Sequence, residues 1–419
     1  MSTEHFYRNN VLYVKQKSLE MDELFAKQEV FLRATSLDIV RGYMSRINWD
    51  APMLCLRGAR GVGKSTLLRQ YVKQRFPAGS EEALYCTLDS VCFASSSILK
   101  VAEQFHQHGG RLLILDEVHK YNGWSREVKE IADLYPDMQV FLSGSSMLNL
   151  IDGDADLSRR CVGYNMPGLS LREYLQFYKG ITLEAHTLEE ILQNPKQIAA
   201  AVNEACRPLQ HFHDYLRFGY YPYYLHNPTD YHALIEQTMN YVIEAELPML
   251  RGVDVWSNRK LKALMSILSR SVPFEVYITK LASLIEAGRN TVIAYLRDLS
   301  DAGMLNLLYS DILSVKKLQK PDKIYFENPN LLYALGGEGA NLGTVRECFA
   351  VNQLMQQHVV EYGKQAGDFK VDGHITFEIG GENKTFGQIA DMPDSYVLAD
   401  NIEMPRGNKL PLWLLGFMY

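Results

Sequence analysis

The sequence predicts an α/β chain in which a parallel sheet, covered by helices on both faces, is followed by a helical stretch, a winged helix and a small mixed α/β unit. Three observations carry this expectation. In the first 165 residues, short apolar runs ending in Gly, Ser or acidic residues alternate with helical stretches, the pattern of strands buried on both faces. A glycine-rich turn stands between the first of these runs and a helix. Further on, three helical stretches are followed by two short strands, the outline of a winged helix-turn-helix.

Residues 1–165 read as a nucleotide-domain-sized unit with a helical lead-in of about 50 residues, in which "SLEMDELFAKQEVFLRATSLDIVRGYMSRI" spaces its apolar residues helically. Strands are expected at "PMLCLRG" (52–58), "EALYCTLD" (82–89), "RLLILDEV" (111–118) and "MQVFLSGS" (138–145). Residues 166–252 are helical and rich in tyrosine, a lid whose aromatics pack between helices. Residues 253–328 form the winged helix, with Val292, Leu296 and Leu299 on one face of its third helix. Residues 329–419 combine the helix "VRECFAVNQLMQQHVV" with strands "GHITFEIGG", "SYVLAD" and a C-terminal "PLWLLGFMY", expected as a buried strand.

Composition limits the function classes. With 419 residues, 47% of them hydrophobic, the chain can bury several cores. A formal charge of −6 gives no overall attraction to polyanions, so any nucleic-acid contact must be local. Six cysteines without a CxxC pair point to neither a zinc site nor a disulfide framework, and suit a reducing compartment. The polar start "MSTEHFYRNN" and the lack of a run near the roughly 18 apolar residues of a spanning helix predict a cytoplasmic protein with no membrane segment.

The chemistry sits in the glycine-rich turn. Gly58, Ala59, Arg60, Gly61, Val62, Gly63, Lys64 and Ser65 match G-x-x-x-x-G-K-[ST] between a strand and a helix that continues through Thr66. Glycines let successive amides converge on an anion, and the helix N-terminus adds its dipole. Lys64 is expected at the β and γ phosphates of ATP and Ser65 at Mg²⁺. About 50 residues on, Asp116 and Glu117 end an apolar strand, where open sheets bind ligands. Asp116 is expected in the Mg²⁺ shell, and Glu117 as the base that activates water. Ser143 and Ser145 end the next strand and are candidates to contact the γ-phosphate or the water. Arg159 and Arg160, after the polar loop "IDGDAD", are candidates to neutralise transferring phosphate.

"GARGVGKST", "LLILDEVHK", "FLSGSS" and "LSRR", followed by "LSLREYLQF" and "FGYYP", resemble the bacterial and archaeal AAA-type P-loop ATPases with an uncharacterised winged-helix and nuclease-like C-terminal half. The resemblance implies ATP hydrolysis by Lys64, Ser65, Asp116 and Glu117, with a sensor serine and an arginine from "LSRR". It also implies a last domain like the PD-(D/E)xK nucleases, with Glu347, Asp368 and Glu378 as acidic candidates. Gly380 stands where that motif's lysine belongs, and a shifted reading pairs Asp372 with Glu382–Lys384. Seven basic residues against thirteen acidic ones from Pro321 onward also repel DNA, so this end is expected to be inactive.

Between Arg259 and Lys320, ten basic residues against five acidic ones favour a phosphate-facing surface. The third helix, however, offsets Arg297 with Asp298 and Asp301. The expectation is thus an Mg-ATPase whose hydrolysis shifts its C-terminal half toward a protein partner. A slow ATP-dependent switch or scaffold and a DNA-binding ATPase are the alternatives, and the oligomeric state stays open.

Overall fold

The computed structural model describes residues 21–148, 157, 159–270, 277–310, 320–364 and 366–419. The chain divides into two compact units, one reaching to Met166 and one from Pro167 to Tyr419 that also takes in Ala59–Val62.

In the first unit, α1 spans 21–33 and ends sooner than the lead-in sequence suggests. The reason is local. Thr35 Oγ1 donates to the Phe31 carbonyl at 2.8 Å and Asp38 N to Ser36 Oγ at 2.9 Å, bonds that compete with the helical ladder. Five strands follow: β1 (Met53–Arg57), β2 (Ala83–Thr87), β3 (Leu112–Asp116), β4 (Gln139–Gly144) and β5 (Val162–Asn165). They form one sheet in the order β2-β3-β4-β1-β5, and every pairing is parallel. The strand next to both β1 and β3 in space is β4, whereas β2, which separates them in the chain, lies at the edge. The helices are α2 (Lys64–Arg75), α3 (Ile98–Gln107) and α4 (Trp124–Leu134).

Both faces of this sheet are covered, as its continuous apolar strands require. Cys55, Leu84, Leu113 and Leu142 join Phe105 of α3 and Val128 and Ile131 of α4 in one core. Phe141, alternating to the opposite face, meets Trp49 and Tyr71 of α2, whose rings stack at 4.0 Å. β5 was missed by the strand reading because its residues are mostly exposed and carry no apolar run.

The second unit begins with α5 (Leu171–Lys179), opened by a Ser170–Glu173 capping box, then α6 (Leu188–Gln193), α7 (Pro195–Ala205) and α8 (Pro208–Phe218). α9 (Tyr231–Tyr241) runs through a π-helical turn, Val242–Glu246, into α10 (Leu247–Arg251). Three helices, α11 (Asn258–Ser269), α12 (Ile278–Leu284) and α13 (Arg289–Asp301), then lead to the antiparallel hairpin β6 (Leu305–Leu308) and β7 (Lys323–Phe326). Val292, Leu296 and Leu299 are buried together as the periodicity predicts. After α14 (Pro329–Gly336) and α15 (Leu342–Leu354) comes a mixed sheet, β12-β11-β10-β9-β8. Its strands are β8 (Val360–Tyr362), β9 (Phe369–Val371), β10 (Ile375–Gly380), β11 (Ser395–Ala399) and β12 (Lys409–Pro411).

The apolar C-terminal run is buried but is not a strand. β12 stops at Pro411, which has no amide to extend a ladder, and Leu412–Phe417 coil into a 3-10 helix. Ser170 Oγ and Arg172 Nε, at the start of α5, donate to the Tyr419 carbonyl at 2.7 and 2.9 Å. All six cysteines are free thiols. Among the described residues, no helix is long and apolar enough to cross a membrane.

Candidate nucleotide site

β1 delivers the glycine-rich turn at its carboxyl end. Gly63 caps α2 in a left-handed conformation, φ 99°, that a side chain would strain, and it turns the chain directly into a helix starting at Lys64. The Lys64 ammonium is buried and donates to the Gly58 carbonyl at 2.9 Å, so the lysine spans the loop it belongs to.

β3 delivers Asp116, which is 2% exposed. One carboxylate oxygen accepts from the Tyr85 hydroxyl and the other from Ser143 Oγ at the tip of β4. Burial first, then the Asp116 charge, hold the Tyr85 phenol far above its ordinary pKa, and a hydrogen bond with Ser65 opposes them. Ser65 and Asp116 therefore meet around one phenolic oxygen. Hydroxyl and carboxylate oxygens are hard donors of the kind Mg²⁺ takes, and this ion usually completes its shell with water and substrate phosphates. Among the described residues no group of three or more His, Cys, Asp and Glu side chains could hold a metal ion by itself.

Glu117 occupies the left-handed region at φ 57°, ψ 43°, a costly conformation for a side-chain-bearing residue and one that gathers at functional sites. Its amide donates to Ser143 Oγ at 3.2 Å, while its carboxylate stays partly exposed. Ser143 is thus engaged with both acidic residues from one side. Ser145 behaves differently: its hydroxyl accepts from Met147 N at 3.4 Å, and its own amide donates to His119 Nδ1 at 3.4 Å. Arg159 and Arg160 are exposed, and Arg160 pairs with Asp133 of α4. The acidic loop 151–156 lies outside the described residues.

Residues 50–175 match the family of AAA domains. The match encloses β1 through β5 and all of the turn and strand-end residues above, and supports an ATP-binding AAA-type ATPase. Residues 209–342 match a domain of unknown function, DUF8612. An uncharacterised protein of Methanocaldococcus jannaschii, MJ1637, is 26% identical over 289 residues, which are 65% of this chain and 60% of that protein's length. The solved structure of C. elegans PCH-2 aligns with 66% of this chain and 68% of its own at 16% identity and a TM-score of 0.23.

Two residues of the first unit that bear on the site carry no signal in the sequence. Tyr85 sits on β2, and nothing in its run marks it as polar in function, although the parallel β2–β3 register puts that strand end beside Asp116. His119 follows Asp116 by three positions in the short 3-10 turn Val118–Lys120; its side chain is 1% exposed, and Nε2 lies 3.4 Å from Glu117 Oε2.

The loop residues Ala59–Val62 group with the second unit. There Arg60 Nη1 lies 3.2 Å from Glu246 Oε1, and its guanidinium stands 4.3 Å from the centre of the Tyr241 ring. Gly61 has φ 89°, and a Cβ on it would come within 2.7 Å of Tyr223 Cε1.

At the C-terminal end, the acidic candidates do converge. Lys323 bridges Glu347 and Asp368 at 3.6 and 3.9 Å, Tyr325 donates to Glu347 at 2.6 Å, and Lys384 pairs with Glu378. A Cβ on Gly380 would meet Lys384 Cβ, Cγ and Cδ at 2.7 Å, so the lysine from four residues on fills the space above the glycine. This arrangement joins the acids of one sequence reading to the lysine of the other. Asp372 is elsewhere, paired with His358 at 2.7 Å, and Glu382 contributes a carbonyl that accepts from Lys409.

Proposed function

We propose that the chain is an Mg²⁺-dependent ATP hydrolase whose first unit carries the chemistry. The observation that supports this reading is the meeting of the Lys64–Ser65 helix start with Asp116 and Glu117 at the carboxyl ends of β1 and β3, linked through Tyr85 and Ser143. The loop amides and Lys64 hold the triphosphate. Ser65 and Asp116 hold the metal, which when bound neutralises phosphate charge. Glu117 orients and deprotonates the attacking water. Ser143 keeps Asp116 and the Glu117 backbone in register. Arg159 and Arg160 are the candidates for reaching phosphate, and Arg160 is paired with Asp133 on its own chain.

Steady-state turnover of Mg-ATP tests the reading. Glu117→Gln is expected to lower kcat by roughly 100-fold or more, the scale of a lost general base, while nucleotide affinity persists. An unchanged rate in Glu117→Gln, with nucleotide binding lost in Lys64→Ala, makes the chain an ATP-held switch instead.

The second unit is the part we assign to a protein partner. Trp256 and Val255 stand 88% and 66% exposed just ahead of α11. DNA is the less favoured partner, because Lys262 is paired with Glu244, Arg251 with Asp301, and Lys260 with the Glu286 carbonyl. ATPase activity that rises on adding duplex DNA at low salt and fades from about 50 to 200 mM salt would reverse that preference.

A further inference from the structure

We propose that His119 is the positioning residue for Glu117, a buried imidazole that links the carboxylate of the general base to the tip of β4. The inference rests on the reading of Glu117 as the base. His119 is held from its far side: the Ser145 amide donates to Nδ1 at 3.4 Å, which leaves the ring proton on Nε2, and Nε2 lies 3.4 Å from Glu117 Oε2, an electrostatic contact outside hydrogen-bond geometry. The ring is fixed by its surroundings. Its side chain is 1% exposed, and the ring lies against Gly144 at the end of β4.

The left-handed backbone at Glu117 sets the direction in which its side chain leaves the strand end. A carboxylate on two rotatable methylenes has further torsions to fix, and a buried neighbour narrows them. His119 provides that constraint at Oε2. Ser143 and Ser145 share the tip of β4, and Ser143 bonds Asp116 and the Glu117 amide. A shift of that tip therefore moves the metal ligand, the base backbone and the imidazole together. Sequence spacing puts His119 two residues beyond Glu117 on a tight turn, which brings the ring back toward the carboxylate it follows.

The test uses the full chain in two readouts. With ¹⁵N-labelled histidine, long-range proton–nitrogen correlation should show the His119 signal, assigned by its loss in His119→Gln, as the Nε2–H tautomer, and that signal should move in Glu117→Gln. A proton on Nδ1, or a signal indifferent to Glu117→Gln, overturns the proposal without touching ATP hydrolysis. In turnover, His119→Ala should lower kcat roughly 10- to 100-fold, the cost of a misplaced catalytic group, with Mg-ATP affinity within about twofold of the parent. His119→Gln, which can present an amide N–H to the carboxylate, should recover most of that loss. In a Glu117→Gln background His119→Ala should add nothing, since the group it positions is gone. An unchanged kcat in His119→Ala, or a full further loss in the Glu117→Gln background, overturns the positioning role while hydrolysis by the parent stands. A parent chain that binds Mg-ATP but never turns it over removes the hydrolase reading and this role together.

Discussion

Lys64 already bonds the Gly58 carbonyl, so on the proposed reading an entering phosphate draws the ammonium away from that partner. The loop is preorganised by its own lysine. The strain at Glu117 gives a test of opposite signs: Glu117→Gly should raise the midpoint of thermal unfolding, by the equivalent of about 1 kcal/mol, while abolishing turnover. A destabilised Glu117→Gly would mean that the left-handed conformation is not costly here. Ser143→Ala should do the reverse of a surface change. It removes the donor to Asp116 and the acceptor for the Glu117 amide, an expected loss of about 1–3 kcal/mol with a higher Mg²⁺ requirement, measured by denaturant unfolding and by metal titration of the rate. At Gly61, alanine meets both φ 89° and the Tyr223 ring, so Gly61→Ala should lower the unfolding midpoint, and an unchanged midpoint would show that Tyr223 moves aside freely.

At the level of elements, the glycine-rich turn and the acidic strand end were legible because each is a local pattern tied to one strand and one helix. Their meeting at one magnesium ion was expected from the motifs, but the strand order that produces it was not. It depends on β4 lying beside both β1 and β3, a sheet order that no single stretch of sequence encodes. Tyr85 and His119 were hidden for the same reason, since their partners are 31 residues away in one case and on the tip of another strand in the other. The C-terminal run misled in a different way: its apolarity correctly foretold burial, but burial alone does not separate a strand from a 3-10 turn, and Pro411 decides against the ladder. Lys384 shows a third limit. Counting along β10 finds glycine at the lysine position, whereas the chain returns and lays Lys384 across that glycine. Lys384→Ala leaves the Glu378 carboxylate, 0% exposed, without its cation. The loss should be about 2–3 kcal/mol at pH 8 and smaller near pH 5, where Glu378 can take up a proton instead, as followed by denaturant unfolding at the two pH values.

At the scale of the whole molecule, the second compact unit carries a titrating group of its own. Glu327 is pushed up to about 7 by burial, against hydrogen bonds from Asn328, Tyr220 and Asn352. Its raised pKa means that the folded state holds this proton more tightly than the unfolded chain. Stability contributed by protonated Glu327 is therefore full below about pH 4.5 and is lost as the pH rises through about 7, a change of about 3 kcal/mol. Glu327→Gln should flatten the fall in unfolding midpoint between pH 5 and 8, and a fall of unaltered slope would assign it to another group.

The account depends most on the claim that the turn from Gly58 to Ser65 clasps a triphosphate beside a metal held by Asp116. Isothermal calorimetry with Mg²⁺ present tests it most directly. ATP titrated into the folded parent chain should release heat with a single saturable site, and Lys64→Ala of equal thermal stability should show none. No heat with the parent chain, or equal heat with Lys64→Ala, would contradict it.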